Sequence, residues 1–385
     1  MRSSRQAAVI MVLLALAAGI VPAQKKKPAA DDEGYIPQVL PEGKQKKEKE
    51  QNQAPPPSRT LPNAIAVDTD RLTFNVSPLS AKGLLSQQTR DALKALIRSS
   101  HGTIVKLRAF VSGSGDLRRI GELTAETFSE KHLPFPVLSV VQVGALPLEG
   151  AQVLIEATEV DKKSVNPNGV AFLSGQSAPS VTQSLEQLKN ALHGAELDAS
   201  DAMRVTCFVS SIADQKDTRD LMGASFPGAV LNFVQMQREP VSPAAECEAV
   251  ARLRTPVPQG IDFLNPPNLA KSVHYSQISR VTSPRLVITG TQLAFGNQES
   301  DLKLAFERLD RALTASNARV DRAVMVHMYL TSGAIMEKVR AVRGSYFAGK
   351  TPPASTMLPF EGLPSLDAQA GVDVVAVPDS SDARR

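Results

Sequence analysis

Val170-Ala171-Phe172-Leu173-Ser174-Gly175-Gln176 reads as a buried strand running into a glycine turn. Leu185, Leu188, Ala191 and Leu192 then recur at helical spacing and mark one apolar helix face. A second strand, Arg204-Val205-Thr206-Cys207-Phe208-Val209-Ser210, follows, and Ala245-Glu246-Cys247-Glu248-Ala249-Val250-Ala251 closes the unit. A shortened second helix is expected around residues 217–224.

Working outward, two other parts of the chain look like diverged copies of this unit. Upstream, the strand Arg71-Leu72-Thr73-Phe74-Asn75-Val76-Ser77 precedes a stripe of Leu85, Thr89, Ala92 and Leu96. Then come Ile104-Val105-Lys106-Leu107-Arg108-Ala109-Phe110-Val111, a second stripe of Leu117, Ile120, Leu123 and Phe128, and two closing strands around Val141 and Ile155. Downstream, Arg285-Leu286-Val287-Ile288-Thr289-Gly290-Thr291-Gln292 precedes a stripe of Leu302, Ala305, Phe306, Leu309 and Leu313. Ala323-Val324-Met325-Val326-His327-Met328-Tyr329-Leu330, a helix striped by Ile335, Val339, Val342 and Tyr346, and Val372-Asp373-Val374-Val375-Ala376-Val377 complete that copy. Ser77 and Ser174 are 97 residues apart, Phe110 and Phe208 98, and Ser174 and Thr289 115, so the order recurs at nearly the same spacing. The expected units are 61–160, 161–258 and 259–378, with a short disordered tail at 379–385.

The N-terminus has another character. Arg2 and Arg5 precede an apolar run over residues 7–21, and Val21-Pro22-Ala23 supplies small residues before Gln24, which is the pattern of a secretory signal over 1–23. Export to a secreted or periplasmic location is the expectation; an uncleaved membrane anchor is the alternative, and membrane contact is expected only through this segment. Residues 24–60 are rich in Lys, Glu, Gln and Pro and read as a disordered tether. Its eight Lys and Arg against six acids account for the two charges left of the net +4 once Arg2 and Arg5 are set aside. The folded part is therefore near neutral. Without tryptophan and with 4% aromatics, it offers neither the basic surface nor the stacking platforms of a specific nucleic-acid binder.

The Ser174-Gly175-Gln176 turn, the helix carrying Gln187-Leu188-Lys189-Asn190-Ala191-Leu192, the strand at 204–209 and the closing Glu246-Cys247-Glu248-Ala249-Val250-Ala251 resemble the RidA/YjgF family of reactive intermediate deaminases, also labelled L-PSP endoribonuclease. The resemblance covers each repeat and is strongest in the second and third. It implies an α+β fold of three tandem chorismate-mutase-like domains, each a mixed sheet with two helices on one face. Members form homotrimers with pockets between subunits, so three copies in one chain imply an intramolecular pseudo-trimer that runs as a monomer. The implied chemistry is hydrolysis of 2-imino or enamine acids to 2-oxo acids and ammonia, with no metal or organic cofactor.

That chemistry uses an arginine in a Pro-Ala-Arg motif, whose guanidinium holds the substrate carboxylate bidentately, together with an acid in the closing strand and the Ser-Gly turn. Here Leu138, Leu231 and Ser355 stand at the arginine position. The acid persists as Glu156, Glu248 and Asp373, and the turn as Ser77, Ser174-Gly175 and Thr289-Gly290. Tyr275 matches a pocket tyrosine kept only in the third copy. Two readings follow. Either the pockets bind a small molecule or act as an interaction scaffold without deamination, or a cation from elsewhere, with Arg108, Arg204 and Arg343 as candidates, restores the carboxylate site.

Other chemistry finds no support. The five histidines lack ligand spacing, so no metal site is expected, and no G-x-S-x-G nucleophile turn is present. Cys207 and Cys247 lie on strands of one unit, and a disulfide and two buried thiols are both open.

Overall fold

The computed structural model describes residues 60–238 and 244–379. The signal segment, the tether up to residue 59 and the tail beyond residue 379 lie outside the described residues. No helix among the described residues is long and apolar enough to cross a membrane.

The chain begins with β1 (Ala64–Asp68) and β2 (Leu72–Val76), followed by α1 (Leu85–Ser99), β3 (Thr103–Ser112), α2 (Arg118–Glu130), β4 (Val137–Val143) and β5 (Val153–Val160). The middle supplies β6 (Val170–Ala178), α3 (Val181–Gly194), β7 (Ala202–Val209), α4 (Gln215–Ser225), β8 (Val230–Gln235) and β9 (Ala245–Arg252). The last part holds β10 (Ile261–Leu264), β11 (Ile278–Val281), β12 (Arg285–Thr289), β13 (Gln292–Phe295), α5 (Glu299–Thr314), β14 (Ala323–Leu330), α6 (Met336–Tyr346), β15 (Ala354–Pro359) and β16 (Ala368–Ala376).

Three mixed sheets result, which makes the fold α+β. Sheet one runs β2-β5-β3-β4, sheet two β10-β11-β6-β9-β7-β8, and sheet three β1-β12-β16-β14-β15, with β13 also on β16. Each holds one parallel pair, β3 with β4, β7 with β8 and β14 with β15. Parallel neighbours need a crossover connection, and α2, α4 and α6 provide it. Strands β1, β10, β11 and β13 were not expected from the sequence. They are four or five residues long, and two of them are recruited across the chain: β1 pairs with β12, and β11 with β6.

Each sheet carries its two helices on one face. In sheet two, Ser180 caps α3 by accepting from the Gln183 backbone, and Leu185, Leu188, Ala191 and Leu192 pack with Val205, Ala249 and Phe226. Leu188 is fully buried there, and its replacement by Ala would cost about 2–5 kcal/mol. Cys207 and Cys247 face each other across β7 and β9 on this side and are joined by a disulfide. The sequence left that pairing open, and it is settled as a bridge.

The opposite faces of the three sheets meet in the middle. At one end Phe110, Phe208 and Tyr329 pack with Phe360, and at the other Val105, Phe172, Met203 and Met325 share a second apolar cluster. Between these clusters lies a layer of charge.

Candidate functional site

Ser174-Gly175 forms a bulge within β6, Ser77 lies just beyond β2, and Thr289 ends β12 before Gly290. Ser174 Oγ donates to the Ser276 carbonyl at 2.6 Å and accepts from the Ser355 amide at 2.8 Å, so it ties sheet two to β15. Ser77 Oγ accepts from the Ile155 amide, and Thr289 Oγ1 from the Val374 amide, each binding the closing strand of its own sheet. Glycine is required at Gly290, where the close neighbour is backbone, and at Gly175 a larger residue would displace the Glu246 side chain. A Cβ at Gly175 would stand 2.0 Å from Glu246 Oε1, and one at Gly290 would stand 2.8 Å from the Leu138 carbonyl oxygen.

Between the Ser174-Gly175 turn and β15 is a cavity of about 120 Å³, lined by Gly175, Glu246, Tyr275, Arg340, Arg343 and Ser355 among others. It joins four residues expected from the sequence, Gly175, Tyr275, Ser355 and the candidate cation Arg343. Arg343 reaches down from α6, donating to Ser355 Oγ and to the His274 carbonyl, both at 2.8 Å. Burial and the like charge of Arg340 lower its pKa to about 10, so it stays cationic at neutral pH. Glu246 is 6% exposed and takes a hydrogen bond from Ser177; burial pushes its carboxyl up to about 7. Burial, then the Glu246 charge, also raises the Tyr275 phenol.

The corresponding junction between sheets one and two is a cavity of about 190 Å³, lined by Ser77, Leu79, Leu154, Met222, Leu231 and Asn232 among others. At the third junction Leu138 packs its backbone on Gly290, and its carbonyl accepts from the Thr291 amide at 3.2 Å. The three positions that replace the motif arginine thus have three environments: Arg343 against Ser355, an apolar cavity beside Leu231, and a closed backbone contact at Leu138.

The acids Glu156, Glu248 and Asp373 lie in the central charge layer rather than in these two inter-sheet cavities. Arg108 Nε donates to Glu156 at 2.5 Å and its Nη2 to Glu248 at 2.9 Å, while Arg204 approaches Glu248 at 3.2 Å. Thr206 donates to Glu156. Asp373 accepts from Lys106 at 2.7 Å, Ser139 at 2.6 Å and Tyr329 at 3.0 Å, with His327 Nδ1 at 3.1 Å. Burial alone would raise these carboxyls; the Arg108 charge beside Glu156 and Glu248, and Lys106 beside Asp373, outweigh it and hold all three below the usual range. Their partners place them as ionised groups fixed by donors, whereas a near-neutral carboxyl suited to proton transfer is found at Glu246. Arg108 and Arg204 are committed to these acids, which leaves Arg343, of the three candidate arginines, lining the cavity between sheets two and three.

Glu246 and Arg340 are charged pocket residues that sequence reasoning missed. The signal for Glu246 was available: two residues before Glu248 on one strand, it shares that residue's face. Arg340 precedes Arg343 by one helical turn and projects alongside it. No group of three or more His, Cys, Asp or Glu placed to hold a metal is found among the described residues.

Residues 268–378 match the family described as endoribonuclease L-PSP. Among solved structures, a Rid family protein of unknown function from Yersinia pestis is 18% identical, with 31% of this chain and 98% of that one covered and a TM-score of 0.29. A YjgF/YER057c/UK114 family member from Mycobacterium tuberculosis is 20% identical, covering 30% and 98%, with a TM-score of 0.23. Yeast Mmf1 is 20% identical, covering 28% and 90%, with a TM-score of 0.23. No curated protein matches the chain.

Proposed function

We propose, from the membership of residues 268–378 in the endoribonuclease L-PSP (RidA/YjgF) family, that this chain is a tandem RidA-like protein binding a small carboxylate between sheets two and three. In this reading three copies share one chain as a pseudo-trimer, and the N-terminal signal carries the protein out of the cytoplasm. Arg343 carries the proposal. Its guanidinium lies 2.8 Å from Ser355 Oγ, at the strand position where the family motif ends in arginine, and a guanidinium recognises a carboxylate bidentately. The cavity volume of about 120 Å³ suits an acid of the size of pyruvate.

Calorimetric titration with pyruvate tests this. The wild-type chain is expected to bind, and Arg343→Gln to bind at least about tenfold more weakly, the loss of a charge-assisted hydrogen bond. Equal binding by the two proteins refutes it.

A second reading, hydrolysis of 2-imino or enamine acids, is favoured by Glu246. A carboxyl with its pKa near 7 beside a carboxylate-holding cation suits general acid and base work on an imine and its attacking water. An imino acid generated in situ should then release ammonia faster with wild-type protein than with Glu246→Gln. No acceleration over the protein-free rate leaves a binding protein.

A further inference from the structure

Two guanidinium groups line the pocket between sheets two and three, and a single carboxylate on Arg343 leaves the other unused. Arg340 and Arg343 lie on α6 close to one helical turn apart, where side chains share a face and start about 5–6 Å from each other. They sit at different depths. Arg343 is 3% exposed, and its hydrogen bonds go to two neutral acceptors, Ser355 Oγ and the His274 carbonyl, which leave further N–H donors of the guanidinium for a ligand. The Arg340 side chain is 34% exposed and marks the mouth.

Among the described residues Arg340 has Glu337 as its ion-pair partner, on the same helix and with its side chain 80% exposed. Such an exposed pair adds little to stability, because water screens it and both side chains lose freedom. An anion in the cavity can therefore take the place of Glu337. The lining itself supplies no lasting negative charge. Glu246 is its acid, and with its carboxyl pushed up to about 7 by burial it is mostly protonated at about pH 6.5. Tyr275, its phenol raised by burial, is neutral there, and His274 adds no negative charge. Two like charges thus face one cavity, and the Arg340 charge helps to lower the Arg343 pKa. A monocarboxylate answers one of them.

We infer that the ligand of this pocket is a short dicarboxylate, with one carboxylate on Arg343 at the base and the other on Arg340 at the mouth. A four-carbon diacid has the reach to join two guanidinium groups that start one helical turn apart. The inference rests on the reading that Arg343 holds a carboxylate; it adds the second anchor, and with it the preference for a diacid over a monoacid.

Succinate and succinamate, alike in shape and different by one charge, are the probes. In calorimetric titration of the full chain at about pH 6.5 and low salt, succinate is expected to bind at least about tenfold more tightly than succinamate. Arg340→Gln should weaken succinate at least about tenfold, to the level of succinamate, and weaken pyruvate by no more than about threefold. Succinamate binding to wild type as tightly as succinate, or an Arg340→Gln loss that is equal for pyruvate and succinate, overturns the inference. Failure of the Arg343 reading has another sign, pyruvate binding undiminished in Arg343→Gln. That result would remove both, whereas equal succinate and succinamate binding with pyruvate still dependent on Arg343 would remove the second anchor alone.

Discussion

Arg343 Nη1 donates to Ser355 Oγ over 2.8 Å, so a helix residue brings a guanidinium to a strand position that has lost its own. If the cation rather than its point of attachment matters, exchange of the pair should be tolerated. Arg343→Ser alone is expected to weaken pyruvate binding at least about tenfold. Adding Ser355→Arg should recover most of that loss, giving strongly non-additive effects in calorimetric titration. A double variant as weak as the single one would show that the α6 geometry itself is needed.

Glu246 makes the same pocket sensitive to pH. Its folded pKa of about 7 lies above the ordinary 4.5, so the native state holds a proton that the unfolded chain has released between these values. The stability associated with that proton is complete below pH 4.5 and is lost as pH rises through about 7, a change of about 3 kcal/mol. Ionisation also places a negative charge in the cavity, so carboxylate binding should weaken over the same rise. Glu246→Gln, which keeps the neutral shape, should flatten both profiles in urea unfolding and titration followed from pH 5 to 8. Parallel wild-type and variant curves would remove Glu246 as the cause.

The central layer ranks its own members by what each leaves behind. Arg108→Met strips a donor from both Glu156 and Glu248 in a buried setting, and urea unfolding should show a loss of about 3–5 kcal/mol. Lys106→Met leaves Asp373 with Ser139, Tyr329 and His327, so its cost should be smaller, about 1–3 kcal/mol. An equal or larger loss for Lys106→Met would show that hydrogen bonds do not sustain Asp373 without its cation.

How much of this was legible in the sequence depends on the range of the interaction that decides each feature. The helix stripes and core strands were readable because Leu188 or Val205 answers to a local period, and the family imprint at Ser174-Gly175 followed from short motifs. Strands β1 and β11 were not, since their partners β12 and β6 lie far along the chain. At the site, Tyr275, Gly175 and Ser355 were named from motif positions. Arg343 could only be one of three candidate arginines, because what separates it from Arg108 and Arg204 is that sheets one and two neutralise those two in the charge layer. Glu246 was assigned no role beside Glu248. The difference between them is environmental: Glu248 is paired with arginines, whereas Glu246 is buried with a serine as its hydrogen-bond donor and no ion-pair partner among the described residues.

The Cys207–Cys247 bridge joins adjacent antiparallel strands, yet it closes a separation of 40 residues that spans the end of β7, α4, β8 and the start of β9. In the unfolded chain such a closure restricts the ensemble and corresponds to about 4 kcal/mol at 25 °C. Both residues are fully buried against α3 and α4, so a reductant should reach them only through opening of sheet two. Thiol titration of the denatured, unreduced chain is therefore expected to find no free thiol, and the native chain should resist mild reductant until it unfolds. Once reduced and alkylated in denaturant, it should refold poorly, because the added groups cannot re-enter a packed core. Cys207→Ala with Cys247→Ala avoids that overpacking and isolates the closure effect, lowering the unfolding free energy by about 4 kcal/mol plus a smaller packing loss. A double-alanine chain as stable as wild type would mean that strand pairing alone holds β7 against β9.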